Sequence, residues 1–156
     1  MRCKQSAAGS RQLTGGSWQY LLGRHCLLLT ACCLLFACSA NDNKLQQYLV
    51  QGEELYIKHC SNCHQKDGKG LGLVYPPVDV SDYLDSNFAD AICLMEYGQR
   101  GELKVNGKSF NQAMPGIPSL TDLEIAEITT YLYNSWGREK GLVDVKDVTE
   151  ILQQCK

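Results

Sequence analysis

The chain has 156 residues, of which 44% are apolar and 21% charged, with nine cysteines and a formal net charge of −2. That length accommodates one small domain and a targeting segment. Removal of residues 1–37 leaves a net charge of −6, which argues against nucleic acid as a partner, since phosphate binding rests on clustered basic side chains.

Residues 1–37 differ from the rest. They carry Arg2, Lys4, Arg11 and Arg24, no acidic side chain, and an apolar run from Cys26 to Ala37 broken only by Thr30. Such a run is short of the ~20 residues that a membrane-crossing helix needs. A basic start, a short apolar middle and a small residue before Cys38 describe an export signal. The stretch Leu35-Phe36-Ala37-Cys38 resembles a bacterial lipobox, which implies cleavage before Cys38 and acylation of that residue. The alternative is an ordinary export signal with an incidental cysteine. Several acyl chains anchor stably where one does not. The expectation is therefore a lipid-anchored protein facing the periplasm of a bacterial envelope, with Ser39 favouring the outer membrane. Loss of residues 1–37 leaves 11 basic against 17 acidic residues, a net charge of −6. That surface suits a basic partner or a neutral one with a basic patch, and solubility alone explains it equally well.

Residues 38–44 read as a polar tether. A first helix is predicted over Lys44–His59, where Leu45, Leu49, Gly52 and Tyr56 recur at helical spacing. Gly52 costs roughly 1 kcal/mol against alanine there, so its presence suggests close approach of another backbone. Next comes Cys60-Ser-Asn-Cys63-His64, then a flexible loop at Asp67–Gly72 and an extended Pro76-Pro77. A second helix near Asn87–Tyr97 puts Phe88, Ala91, Ile92 and Met95 on one face, and Val105–Lys108 reads as a tight reversal. Thr121-x-x-Glu124 forms a capping box for a third helix, whose stripe Ile125, Ile128, Leu132, Trp136 stops at Gly137. A fourth begins at Asp144 and aligns Val145, Val148, Leu152 and Cys155. No segment reads as a sheet. The predicted class is all-α, a small domain of three to four helices, residues 45–156.

The C-x-x-C-H run carries the chemistry. Two thiols three positions apart can add across the two vinyl groups of one haem, and the adjacent His64 is then held beside the iron as an axial ligand. A soft thioether opposite it raises the reduction potential and suits electron carriage. Met95 lies on an apolar helix face, where packing is the natural role. Met114, followed by Pro115-Gly116, is the predicted distal ligand, with a gap-filling loop methionine as the alternative. His59, at a helix end beside the attachment site, is assigned to the surface. A zinc module without haem would need further ligands that Cys93 and Cys155 supply poorly.

From Leu45 to Trp136 the chain resembles the class I monohaem cytochromes c. Gly52-x-x-x-Tyr56-x-x-x-Cys60-x-x-Cys63-His64 is similar to that family's first helix and haem site. The resemblance implies that Gly52 allows close crossing with the helix carrying Tyr131. It also implies that a proline carbonyl, Pro76 or its competitor Pro77, accepts the N–H of His64. Met114-Pro115-Gly116 resembles the family's ligand loop, and Val78-Asp79-Val80 departs from the usual small residues. The flanking segments are most similar to small cytochromes associated with periplasmic dehydrogenases and nitrite reductases.

Cys93 and Cys155 remain. Cys93 falls off the core stripe of the second helix and Cys155 falls on the stripe of the fourth, so a terminal helix laid across the second could join them. Export permits that bond, and two free thiols are the alternative. The implied function is an electron carrier with one covalent haem c and no substrate of its own. Its partners would be redox proteins (a dehydrogenase, or a reductase or oxidase) and the membrane through a lipid anchor. A haem enzyme or sensor with a labile distal ligand, and a fixed subunit of a larger oxidoreductase, are the competing readings.

Overall fold

The computed structural model describes residues 39–155; the expected export segment and Cys38 lie outside them. Among the described residues there are six helices: α1 Ser39–His59, α2 Ser61–His64, α3 Asp82–Ser86, α4 Phe88–Tyr97, α5 Asp122–Leu132 and α6 Val145–Leu152. The four expected helices are present. The two additional ones, α2 and α3, are single turns too short to leave a periodic pattern. Helix α1 begins at Ser39, so the polar residues before Lys44 are helical and not a loose tether. Polar residues carry no apolar period and are invisible to that signal.

Four short strands were not expected: β1 Gly98–Gln99, β2 Leu103–Val105, β3 Lys108–Phe110 and β4 Met114–Pro115. Runs of two or three residues cannot display alternation. Strands β2 and β3 form a hairpin whose turn residues Asn106 and Gly107 both have positive φ (52° and 70°). That pair of angles matches the twist of the flanking strands. Asn106 also docks the hairpin on α3. It exchanges hydrogen bonds with Asp82 at 2.7 and 3.0 Å and donates to the Val80 carbonyl at 2.6 Å.

Helix α5 starts with both halves of its capping box in place. It stops at Leu132, short of the expected Trp136, which instead takes φ 52°. Side chains turn the chain there. Asn134 donates to the carbonyls of Thr130 and Gly141 and accepts the Gly141 N–H, while the Tyr133 hydroxyl donates to the Leu84 carbonyl at 2.6 Å. Local propensity would carry the helix on, but these tertiary bonds win.

Helices α1 and α5 cross at Gly52. A Cβ there would overlap the Glu127 carbonyl and lie 2.8 Å from the Tyr131 Cβ. Tyr56, Tyr131 and Trp136 close the crossing, with ring centres 5.5–5.8 Å apart. Alanine would gain roughly 1 kcal/mol of helix propensity but force backbone apart, at roughly 1–3 kcal/mol or more. Gly52→Ala is therefore expected to lower the midpoint of chemical unfolding. A midpoint that stays or rises would show that the crossing yields easily.

The core is continuous from Tyr48 and Tyr56 of α1 through Ile92 and Met95 of α4 to Ile125 and Ile128 of α5. Val148 of α6 is fully buried against it. No buried side-chain nitrogen or oxygen among the described residues lacks a partner.

Candidate functional site

Helix α1 delivers Cys60 directly into the turn of α2. The N–H groups of Cys63 and His64 both donate to the Cys60 carbonyl, at 3.1 and 3.0 Å, so two thiols and one imidazole share a single helical turn. Gln65 then turns the chain away with φ 63°, and its carbonyl accepts the buried Tyr56 hydroxyl at 2.6 Å. The following loop folds back. Gly70 N–H donates to the His64 carbonyl at 2.9 Å, and the N–H groups of Val78 and Asp79 both donate to Gly68.

This return brings the Pro76 carbonyl to 2.9 Å from His64 Nδ1. A carbonyl only accepts, so Nδ1 carries the proton and Nε2 the lone pair. Burial pushes the His64 pKa below its ordinary value, opposed in part by that carbonyl. The ring is thus held neutral and oriented, as a metal-ligating imidazole must be. Burial, reinforced by the neighbouring Cys63, pushes the Cys60 thiol up to about 11. Neither Cys60 nor Cys63 is in a disulfide. His59 is half-buried at the end of α1 and lines no part of the cavity.

Beside the imidazole lies a cavity lined almost wholly by apolar side chains. Its walls are Tyr56, Cys60 and His64 on one side, Pro76–Val78 beside them, and Ala91, Leu94, Met95, Leu132 and Tyr133 from α4 and the end of α5. A second cavity shares His64, Pro76, Leu94, Leu103 and Met114 with it and is lined as well by Cys63, Tyr75, Gln99, Gln112 and Ala113. Both methionines line the main cavity, and Met114 alone lines both.

Met114 sits in β4, not in a free loop, paired opposite Gln99. Two glycines permit that pairing. A Cβ on Gly98 would lie 2.5 Å from the Met114 carbonyl, and one on Gly116 would lie 2.6 Å from the Tyr97 carbonyl carbon. Cys93 and Cys155 are bonded, with Cα atoms 5.7 Å apart and a sequence separation of 62. Cys155 lies just past the end of α6. Among the described residues no group of three or more His, Cys, Asp or Glu side chains could hold a metal ion.

Sequence reasoning missed Leu94, which lines both cavities, and Tyr83 and Ser81, which line the main one. Leu94 falls off the Phe88–Met95 stripe, because the cavity extends the apolar environment to a second face of α4.

A haem's apolar ring, two vinyl groups and iron fit this donor set: an apolar chamber, two thiols on one turn, a neutral imidazole and thioether sulfur. The chain belongs to the cytochrome c family. The family model described as Cytochrome c matches residues 49–136, more than half of the chain. It is an electron-transfer protein of that family, whose members carry covalently bound haem c. The chain is 29% identical to cytochrome c-552 of Thermus thermophilus over 104 residues, covering 64% of this chain and 79% of that one. It is 31% identical to the cytochrome c subunit of the quinone alcohol dehydrogenase of Gluconacetobacter polyoxogenes over 106 residues. That match covers 65% of this chain but only 22% of the subunit.

Proposed function

We propose that Cys60 and Cys63 form the two thioether bonds, that His64 Nε2 and the Met114 sulfur are the axial ligands, and that Pro76 fixes the imidazole. The observation that carries this reading is the 2.9 Å contact from His64 Nδ1 to the Pro76 carbonyl at the foot of an apolar chamber that Met114 also lines. Bound there, the haem supplies one-electron cycling between Fe(II) and Fe(III).

The protein's own groups set the conditions for that cycle. Pro76 raises the basicity of His64 by accepting its proton partway. The apolar walls disfavour the more highly charged ferric form, and a thioether ligand pushes the same way. With His64 and Met114 both holding the iron, small molecules would be excluded and the protein would transform no substrate of its own. Electron exchange is assigned to the side lined by Cys63, Tyr75, Gln99, Gln112 and Ala113, where Gln112 and Ala113 are exposed and no charged side chain lines the cavity.

In this reading residues 1–37 are an export signal, and acylated Cys38 anchors the domain facing the periplasm, on the outer membrane in preference to the inner. Its partners are a dehydrogenase and a terminal reductase or oxidase. The similarity to a dehydrogenase cytochrome subunit favours one second reading, a fixed rather than diffusing subunit. Co-purification with a stoichiometric oxidoreductase would select it.

Protein exported alongside a cytochrome maturation system tests the whole reading. A pyridine haemochrome spectrum should report one haem c per chain. The intact mass should exceed that of the polypeptide from Cys38 onward by one haem plus acyl groups. A colourless product would overturn the site assignment; a coloured product without acyl mass would overturn only the anchor.

A further inference from the structure

One cation on the far side of the histidine-bearing loop has no place in the function so far. Arg138 follows α5, two residues beyond the segment that matches the family. A left-handed pair, Trp136 and Gly137 (φ 52° and 86°), aims it back at the chain after Pro77, and its own N–H closes a turn on Ser135. Its Nη1 donates to the carbonyls of Val78 and Asp79 at 3.0 and 2.6 Å, and its Nε donates to Asp85 at 2.7 Å. The side chain is only 14% exposed, whereas that of Asp85 is 57% exposed.

The same two residues are gripped from the other side. The N–H groups of Val78 and Asp79 donate to the Gly68 carbonyl at 2.7 and 3.0 Å. Residues 78–79 are therefore clamped between Gly68 and one guanidinium, and Pro76, just upstream, presents its carbonyl to His64. Prolines transmit this restraint well, because each ring fixes φ and leaves few alternative paths. Hydrogen bonds from a charged donor are among the stronger ones, and a guanidinium fixes its donors on separate nitrogens in one plane, whereas an ammonium carries its three on a single rotatable atom.

We propose that Arg138 is a positioning residue that holds the Pro76 carbonyl against the His64 ring, and so sets the orientation and basicity of the proximal imidazole. The inference rests on the ligation by His64 proposed above. Lys140 on the same segment is the natural control. It stacks 4.1 Å above the centre of the Phe88 ring and has no bond to residues 76–79.

The test is solvent exchange of the His64 Nδ1 proton, followed by NMR in the haem-loaded protein. Arg138→Met should speed that exchange at least tenfold and shift the reduction potential, with the backbone amides of Ile125 and Thr129 unchanged. Arg138→Lys should give a smaller acceleration, about threefold, and Lys140→Met none. Equal Nδ1 exchange in wild type and Arg138→Met would overturn the proposal. So would acceleration that the amides of α5 share, which would mean loss of stability alone. If Arg138→Met fails to accumulate, Arg138→Lys decides between the same outcomes. A wild-type protein without haem would instead refute the site reading itself, and the haemochrome spectrum separates that case.

Discussion

Replacing Met114 with alanine should abolish the far-red sulfur-to-iron absorption band of the ferric protein and open the reduced protein to carbon monoxide. The reduction potential should fall by more than ~59 mV, the interval that corresponds to a tenfold change in the preference for ferrous over ferric iron in a one-electron couple. The argument is chemical. A thioether stabilises the softer ferrous state, and its loss leaves water or nothing in that position. Met95 is the only other methionine among the described residues, and it is 5% exposed on the packed face of α4. Met95→Leu conserves volume and should cost less than ~1.5 kcal/mol with the band intact. Should the two variants behave the other way round, the ligand would be Met95 and the strand pairing of Met114 would need another reason. Carbon monoxide binding by the unaltered protein would favour the enzymatic or sensory reading instead.

The second large effect concerns the terminal helix. Serine at both Cys93 and Cys155 opens a loop of 62 residues. The chain-entropy relation assigns such a closure roughly 4 kcal/mol. For a domain of this size that is a fall in melting temperature of roughly 10–20 °C. The surface pair Lys44–Asp144, at 3.0 Å with both side chains near half exposed, cannot replace it. Solvent screens exposed pairs of that kind, so they contribute little. Haem content should survive, because α6 lines neither cavity and lies outside residues 49–136. A melting temperature unchanged by the double substitution, or by reductant, would mean that the two thiols are not joined in solution.

The parts legible in the sequence are those with a local physical signature. The capping box at Thr121, the cap at Asp144 and the Asn106-Gly107 reversal announce themselves within a few residues, and each is present in the structure. Gly52 was legible as an anomaly, a residue unfavourable in a helix, and the close approach of Glu127 and Tyr131 explains it. What could not be read depends on partners distant in sequence. Nothing near Trp136 says that α5 must stop early, because the cause is Asn134 meeting Gly141 and Tyr133 meeting Leu84. Nothing near Met114 marks a strand, because its partner is Gly98–Gln99 and the pairing is two residues long. Arg138 resembles any surface arginine until the carbonyls of residues 78 and 79 are seen facing it.

Four cysteines lie among the described residues, and they have opposite chemical destinies. In the site reading proposed above, Cys60 and Cys63 must arrive as thiols for carbon–sulfur bonds to form, whereas Cys93 and Cys155 must give up their hydrogens to an oxidant to be joined. Four sulfurs can pair completely in three ways, and all three oxidise Cys60 and Cys63, leaving no thiol to receive a vinyl group. On that reading maturation has a required chronology: reductant has to protect one turn of helix until the tetrapyrrole is sewn in, while the other pair is oxidised.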